Sequence, residues 1–460
     1  MSITSSAFAS HHILTVVVSA IGASVVLAFA PTPLAAQSAR PGGVVDSALS
    51  LDSLYRLVLT RSPRIRAANA LGRAADARVA SAKRPADPEL QFGFMNYTLP
   101  RLTPDPALGM AQLQLMQMIP LPGKLAAAGG AARARADATK ARALDVTWQT
   151  WVDATMAFYE RYQVNGSLVI ARESRRLLED VANAAKSMYR VGSGRQSDVL
   201  RADVELARMD EEIIRMETMR EVATERLAAV VDTSVLVIAN ASQLPPFPDS
   251  VPQIAQLERT AYASRPALTA GAADVRAADF DAALARRERW PDIKVGVQYG
   301  QRRMETGIDR MGSLMIGASL PVFARDRQLR MRDETIAMRQ MTEAELQNMR
   351  SETRARLAEV RATIVRTRRL RTLYRTSVLP QAEAASASAL SSYRSGGIEF
   401  MAVIEARMSV NRYRQELVAL DATEGRAWAE LEALTGERLV TTSTSSTERE
   451  QHADRQQGAH

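Results

Sequence analysis

Arg73-Ala74-Ala75-Asp76 is written a second time, 203 residues further on, as Arg276-Ala277-Ala278-Asp279. The same offset links Leu54 to Leu257, Pro63 to Pro266, Pro88 to Pro291 and Gly93 to Gly296. At an offset of 204, Tyr189, Val199 and Ala202 return as Tyr393, Val403 and Ala406. An offset this constant marks a duplicated unit of roughly 200 residues, far longer than a solenoid repeat. Two equivalent halves therefore replace the two or three unrelated domains that 460 residues would suggest. The first repeat is expected over about 37–250 and the second over 251–437.

Proline placement outlines the elements inside each half, because proline breaks helices and ladders. None occurs between Pro122 and Pro245, between Pro321 and Pro380, or after Pro380. A helix over most of the span from Gly123 to about Arg190 would be roughly 90–100 Å long. The segment after it spaces Leu206, Met209, Ile213, Met216, Ala223, Leu227 and Val230 as a coiled-coil-like seam.

Between the helices lie segments of period two. Leu90, Phe92 and Phe94 alternate with Glu89, Gln91 and Gly93, and Ala111, Leu113 and Leu115 alternate with Gln112 and Gln114. In the second half Ile293, Val295, Val297 and Tyr299 alternate with Lys294, Gly296 and Gln298. Leu314, Ile316, Ala318 and Leu320 complete the set. Strands are thus expected at about 88–97, 110–119, 291–301 and 312–320, with polar loops at about 98–109 and 302–311. Each has the length of a tilted transmembrane strand, about 9–11 residues. Four strands cannot close a barrel, and open edges are not tolerated in lipid, so closure calls for several copies. The fold class is α+β: a duplicated helix-strand-strand-helix-helix unit. Three copies make a trimeric 12-stranded β-barrel, and the same symmetry gathers the long helices into an α-helical barrel.

Composition narrows the chemistry. The chain has no cysteine, and its four histidines are His11, His12, His452 and His460, all near the termini. No Ser-His-Asp triad, Cys nucleophile or His-ligated zinc can be built in its body, so no enzyme activity, cofactor or fixed metal site is expected. The formal charge of +8 is dispersed and not interleaved with aromatics, which argues against nucleic acid as a partner. Ile13 through Ala30 is apolar and uncharged, and the small residues Ala35 and Ala36 follow. Residues 1–36 read as an export signal, with an uncleaved anchor as the alternative. Residues 438–460, above all from Thr441, read as a disordered tail.

Three segments in this order resemble the TolC-type outer-membrane efflux family. They are Leu54 through Ala82 with its copy at Leu257 through Ala285, Gln117 through Lys124 with its counterpart Ala318 through Phe323, and Tyr189 through Leu200 with its copy Tyr393 through Ala406. The Pro120-Leu121-Pro122-Gly123-Lys124 wording resembles the heavy-metal efflux branch. The resemblance implies a homotrimeric conduit across the outer membrane and periplasm. Its partners would be a periplasmic adaptor (membrane fusion) protein at the helical tips, an inner-membrane efflux pump and outer-membrane lipid. It would carry metal ions or small toxic molecules.

The resemblance assigns adaptor docking to Gly192, Gly194, Arg195, Ser197, Asp198, Val199 and Leu200, and to Gly396 and Gly397. The residues themselves read as turns between helices, with Ser197 or Asp198 as the next N-cap. Asp198, Glu399 and Glu405 are candidates for a constriction ring, where like charges would repel. Met116 and Met118 share a face with Gln112 and Gln114; thioethers suit soft cations, although methionine more often fills space. Arg101, Arg302, Arg303 and Arg310 in the expected loops would face lipid phosphate or water. The alternative reading is a secreted or periplasmic helical scaffold whose hairpins pair only with protein.

Overall fold

The computed structural model describes residues 50–440, apart from 99, 101–102, 106–107, 233–243, 305–306, 320–322 and 324. The export signal, the tail from Thr441, Arg101, and Leu320-Pro321-Val322 of the second strand-to-helix motif lie outside the described residues.

The first repeat runs α1 (Leu51–Arg61), α2 (Pro63–Ala82), β1 (Glu89–Met95), β2 (Tyr97–Thr98), β3 (Thr103–Pro104), β4 (Met110–Ile119), α3 (Lys124–Arg190) and α4 (Gln196–Val231). The second runs α5 (Ile254–Ser264), α6 (Pro266–Arg287), β5 (Ile293–Met304), β6 (Gly307–Ala318), α7 (Gln328–Leu373), a π-turn (Tyr374–Val378), α8 (Leu379–Arg394) and α9 (Phe400–Thr435). Pro63 and Pro266 each open a helix, where a missing N–H costs nothing because the first amides have no intrahelical acceptor. The 67 residues of α3 start after Gly123 in the left-handed region, at φ +91°.

One antiparallel sheet takes all four long strands in the order β1-β4-β5-β6. The β4–β5 pairing, with Leu115 opposite Val297, joins the two repeats. The outer edges of β1 and β6 have no partner within this sheet. The second hairpin is longer than expected: pairing continues to Met304 opposite Gly307, so residues 302–304 and 307–311 of the expected loop are strand. Arg302, Arg303 and Arg310 therefore sit on strands, and Arg302 pairs with Asp309 at 3.2 Å. Within the expected loop at 98–109, β2 and β3 form a short hairpin of their own.

The helical cores repeat as the sequence does. Leu54, Val58, Ala154, Ala157 and Leu227 pack around Trp151 and Tyr159. Leu257, Ala261, Leu357, Val360 and Leu431, their counterparts by offset, pack around Trp428. The α4 seam buries Met209, Met216, Ala223 and Leu227 and half-buries Leu206 and Ile213. One contact between the repeats admits only glycine: a Cβ on Gly425 of α9 would stand 2.1 Å from Cζ of Tyr159.

The change of offset has a structural counterpart. Buried Thr150, Ala154 and Ala157 of α3 correspond to buried Thr353, Leu357 and Val360 of α7 at 203. Beyond the π-turn, buried Ala182 corresponds to buried Ser386, and Tyr189 to Tyr393, at 204. The π-turn, closed by the Leu379 N–H donating to the Tyr374 carbonyl, absorbs one extra residue and keeps the same face inward. Pro380 follows directly. Its ring would clash with the carbonyl four residues back in a tight α-turn, and the wider turn carries the helix past it.

Two buried carboxylates fasten the ends of the repeats. Glu424 accepts from Arg368 Nε at 2.6 Å and pairs with Arg371 at 2.6 Å, while Arg368 also donates to the carbonyls of Pro248 and Asp249 in the inter-repeat linker. Glu432 accepts from Trp151 Nε1 at 3.1 Å and from the amides of Leu439 and Val440, both at 2.8 Å. Residues 438–440, expected as part of the tail, thus belong to the fold. Arg438 pairs with Asp52 at 2.8 Å and stacks over Tyr55, tying the chain's end to α1.

Candidate interaction site

Both hairpin tips are built by the same backbone device. At the first, the amides of Ser193 and Gly194 donate to the Met188 carbonyl at 3.0 Å, and Gly192 donates to Tyr189. At the second, Gly396 donates to the Tyr393 carbonyl at 3.0 Å and Gly397 to Ser392 at 2.7 Å. Gly192 and Gly396 have φ of +77° and +79°, the left-handed conformation that lets a helix stop and the chain reverse.

The helix after the first tip starts earlier than expected. Arg195 and Glu399 are the N-cap residues, with extended backbones and no side-chain cap bond. Ser197 and Asp198 consequently lie inside the first turn of α4, where an acidic side chain suits the positive end of the helix.

The tips meet. A cleft of about 440 Å³ lies between them, lined by Gly194, Arg195, Ser197 and Asp198 from the first and by Gly396, Gly397 and Glu399 from the second. Arg195 and Glu399 face each other across it at 4.0 Å. Both are exposed, so the pair is held by little more than screened attraction. The cleft floor includes Tyr393 and Phe400, an aromatic pair with ring centroids 5.5 Å apart. Burial, then the nearby Asp198 charge, raises the Tyr393 phenol above its ordinary range.

Not every candidate residue faces this cleft. Val199 packs against the helical core beneath the tip. Leu200 is exposed on the outer side of α4. Glu405 is exposed on α9 and is not part of the cleft, so the three candidate acids are not gathered in one protomer. Tyr393 and Phe400, which pin the two tips together, were visible in the sequence only as part of the duplicated motif. Among the described residues no group of three or more His, Cys, Asp or Glu side chains is placed to hold a metal ion.

At the other end, the sheet shows two unlike faces. Leu90, Phe92, Leu115, Val297, Leu314 and Ile316 all project from one face and are exposed, Leu314 at 68% and Ile316 at 74%. The opposite face carries glutamine, glycine, serine and methionine together with the charged Glu89, Lys294, Arg302 and Asp309. Among the described residues no helix is long and apolar enough to cross a membrane.

Comparison with known proteins agrees with this architecture. The family model described as outer membrane efflux protein matches residues 54–232 and 257–437, one segment per repeat. The chain is similar in structure to the outer-membrane channel OprN, with a TM-score of 0.73 at 17% identity over 85% of this chain and 91% of that one. It is similar to CusC, whose crystal structures concern folding and transmembrane channel formation, with a TM-score of 0.72 at 15% identity over 84% and 92%. The outer membrane protein VceC from Vibrio cholerae gives 0.71 at 19% identity over 85% and 96%. No curated protein sequence matches the chain.

Proposed function

The chain belongs to the outer membrane efflux protein family, and on that premise we propose that it is the outer-membrane channel of a tripartite efflux system. The observation that carries this reading is the sheet. Its apolar face is exposed over four strands, and both of its edges are open. In water such a surface would aggregate; in a bilayer the apolar face suits lipid, and edge pairing between copies satisfies the backbone. Three copies would form a 12-stranded barrel. Arg303 and Arg310, at the hairpin end of the apolar face, suit lipid phosphate. The apolar face also disfavours a purely proteinaceous scaffold.

The helices would continue the barrel as a periplasmic tube, at roughly 1.5 Å per residue. The paired tips, with their glycine turns and the residues Arg195, Asp198 and Leu200, form the surface offered to a periplasmic adaptor protein, itself joined to an inner-membrane pump. Repeated around a threefold axis, Asp198, Glu399 and Glu405 would make a negative entrance. The cargo is a metal ion or small toxic molecule chosen upstream by the pump.

The test is fractionation followed by cross-linking of detergent-extracted protein and recording in a planar bilayer. A cross-linked trimer from the outer-membrane fraction that conducts ions is the expected result. A soluble monomer needing no detergent would overturn the reading.

A further inference from the structure

The four long strands contain seven of the chain's 19 methionines: one in β1, three in β4, one in β5 and two in β6. Strand alternation and the pairing registers put every one on the face opposite Leu90, Phe92, Leu314 and Ile316. That face has no leucine, isoleucine, valine or phenylalanine, and the apolar face has no methionine. Methionine used only to fill space would mix with the branched aliphatics. Here it is the sole apolar residue type on a wall otherwise made of glutamine, serine, glycine and the charged Glu89, Lys294, Arg302 and Asp309. In a chain without cysteine and without histidine between His12 and His452, it is also the only soft donor there.

The register gathers these methionines in rows. Glu89, Met116, Gly296 and Met315 stand side by side across β1, β4, β5 and β6. Gly296 has no side chain to separate its two neighbours. A Cβ there would lie 3.1 Å from Met116 Cγ and 3.6 Å from Met315 Cε, so both thioether chains lean over the same glycine. The arrangement recurs near the hairpin end, where Met110 Sδ lies 2.6 Å from the position a Gly300 Cβ would take, and Met311 is Gly300's register partner.

We propose that the Met116–Gly296–Met315 row is a binding site for soft monovalent cations, Cu(I) or Ag(I), held by the two thioethers, with the Glu89 carboxylate next in the row offsetting the charge. Neutral thioethers hold such ions by softness and without deprotonation, so the site is labile, as a passage wall requires. The inference rests on the reading of this face as the channel lumen and deepens it by naming the class of cargo.

The experiment uses the full chain in detergent with methyl-labelled methionine, titrated with silver nitrate and followed by NMR. Two methyl resonances, assigned by their disappearance in Met116→Leu and Met315→Leu, are expected to move. The double variant is expected to lose the bound silver, and Met338→Leu, an exposed methionine on α7, is expected to keep it. These swaps conserve volume and leave the sheet intact. Silver bound equally by the double variant, or shifts confined to helical methionines, would overturn the site. Cross-linking of the same samples separates the two claims. A conducting trimer without silver shifts fails only the site, whereas silver binding without a trimer fails only the channel reading.

Discussion

Tyr189 at the first tip is 47% exposed, whereas Tyr393 at the second is 4% exposed. Leu200 is 59% exposed and its copy Ile404 is 3% exposed. The turns between them are alike, with Gly192 and Gly396 within a few degrees of one another. Duplication has preserved the backbone and left the packing free to diverge. The second tip is wedged against the core of the hairpin. The first presents the same kinds of side chain outward, on the surface that the proposed function assigns to neighbours. The helices leading to the tips differ too: α3 is continuous, whereas its counterpart passes through the π-turn.

The strongest way to break this comparison is to delete one residue from each approach. Removing Ser377 together with Pro380→Ala takes the extra residue out of the π-turn without forcing the proline ring into a tight α-turn, and leaves an ordinary helix whose inward face is unchanged. Removing Glu173, its counterpart in α3, turns every later seam position by about 100° about the axis. Loss of the folded first tip is expected for the Glu173 deletion and near-native melting for the Ser377 deletion combined with Pro380→Ala, read by circular dichroism in detergent. Equal damage from both would mean that the π-turn is not the site of the inserted residue.

A smaller effect sharpens the contrast between the tips themselves. Ile404→Ala should destabilise the protomer by about 2–5 kcal/mol, the usual cost of truncating a buried aliphatic side chain. Leu200→Ala should change it by less than about 0.5 kcal/mol, as for an exposed position. Urea unfolding of the two variants compares them directly. Similar losses would show that the first tip is already packed in the isolated chain.

The smallest effect concerns the clasp that closes the second repeat. Burial raises the Glu432 carboxyl above its ordinary value, against the opposing influence of the bonds from Val440, Trp151 and Leu439. The folded state therefore holds this proton after the unfolded chain has released its own, at about pH 4.3. Stability from this group falls as pH rises from that value toward the raised one and stays lower above it. Relative to the native chain, Glu432→Gln should show a flatter dependence of melting temperature on pH across that window. An unchanged slope would remove Glu432 as its source.

Much of this was legible in the sequence for physical reasons. Proline and glycine delimited α3, because Gly123 and Gly192 adopt backbones that other residues resist. Period-two alternation located the strands, since each is polar on one face and apolar on the other. What escaped the sequence was set by contacts rather than by local preference. Glu432 meets Trp151 across 281 residues, and no local pattern announces that bond. The π-turn left only a shift of one in the repeat offset, which has no residue signature of its own. Ser197 and Asp198 are good N-cap residue types, yet Arg195 takes the position because α4 begins at Gln196. The acids at 198, 399 and 405 were read as one group from their motif positions, and the fold distributes them over two helices and a turn.

The seam between β4 and β5 has a consequence for assembly. It pairs the last strand of one repeat with the first strand of the next, the same kind of joint that would form between β6 of one copy and β1 of another. Were the repeats separate polypeptides, six would have to find one another to close the ring. In the proposed trimer, duplication would make every second joint intramolecular, so closing the ring would take three encounters between chains, and half of its seams would form at the effective concentration of a single folding molecule.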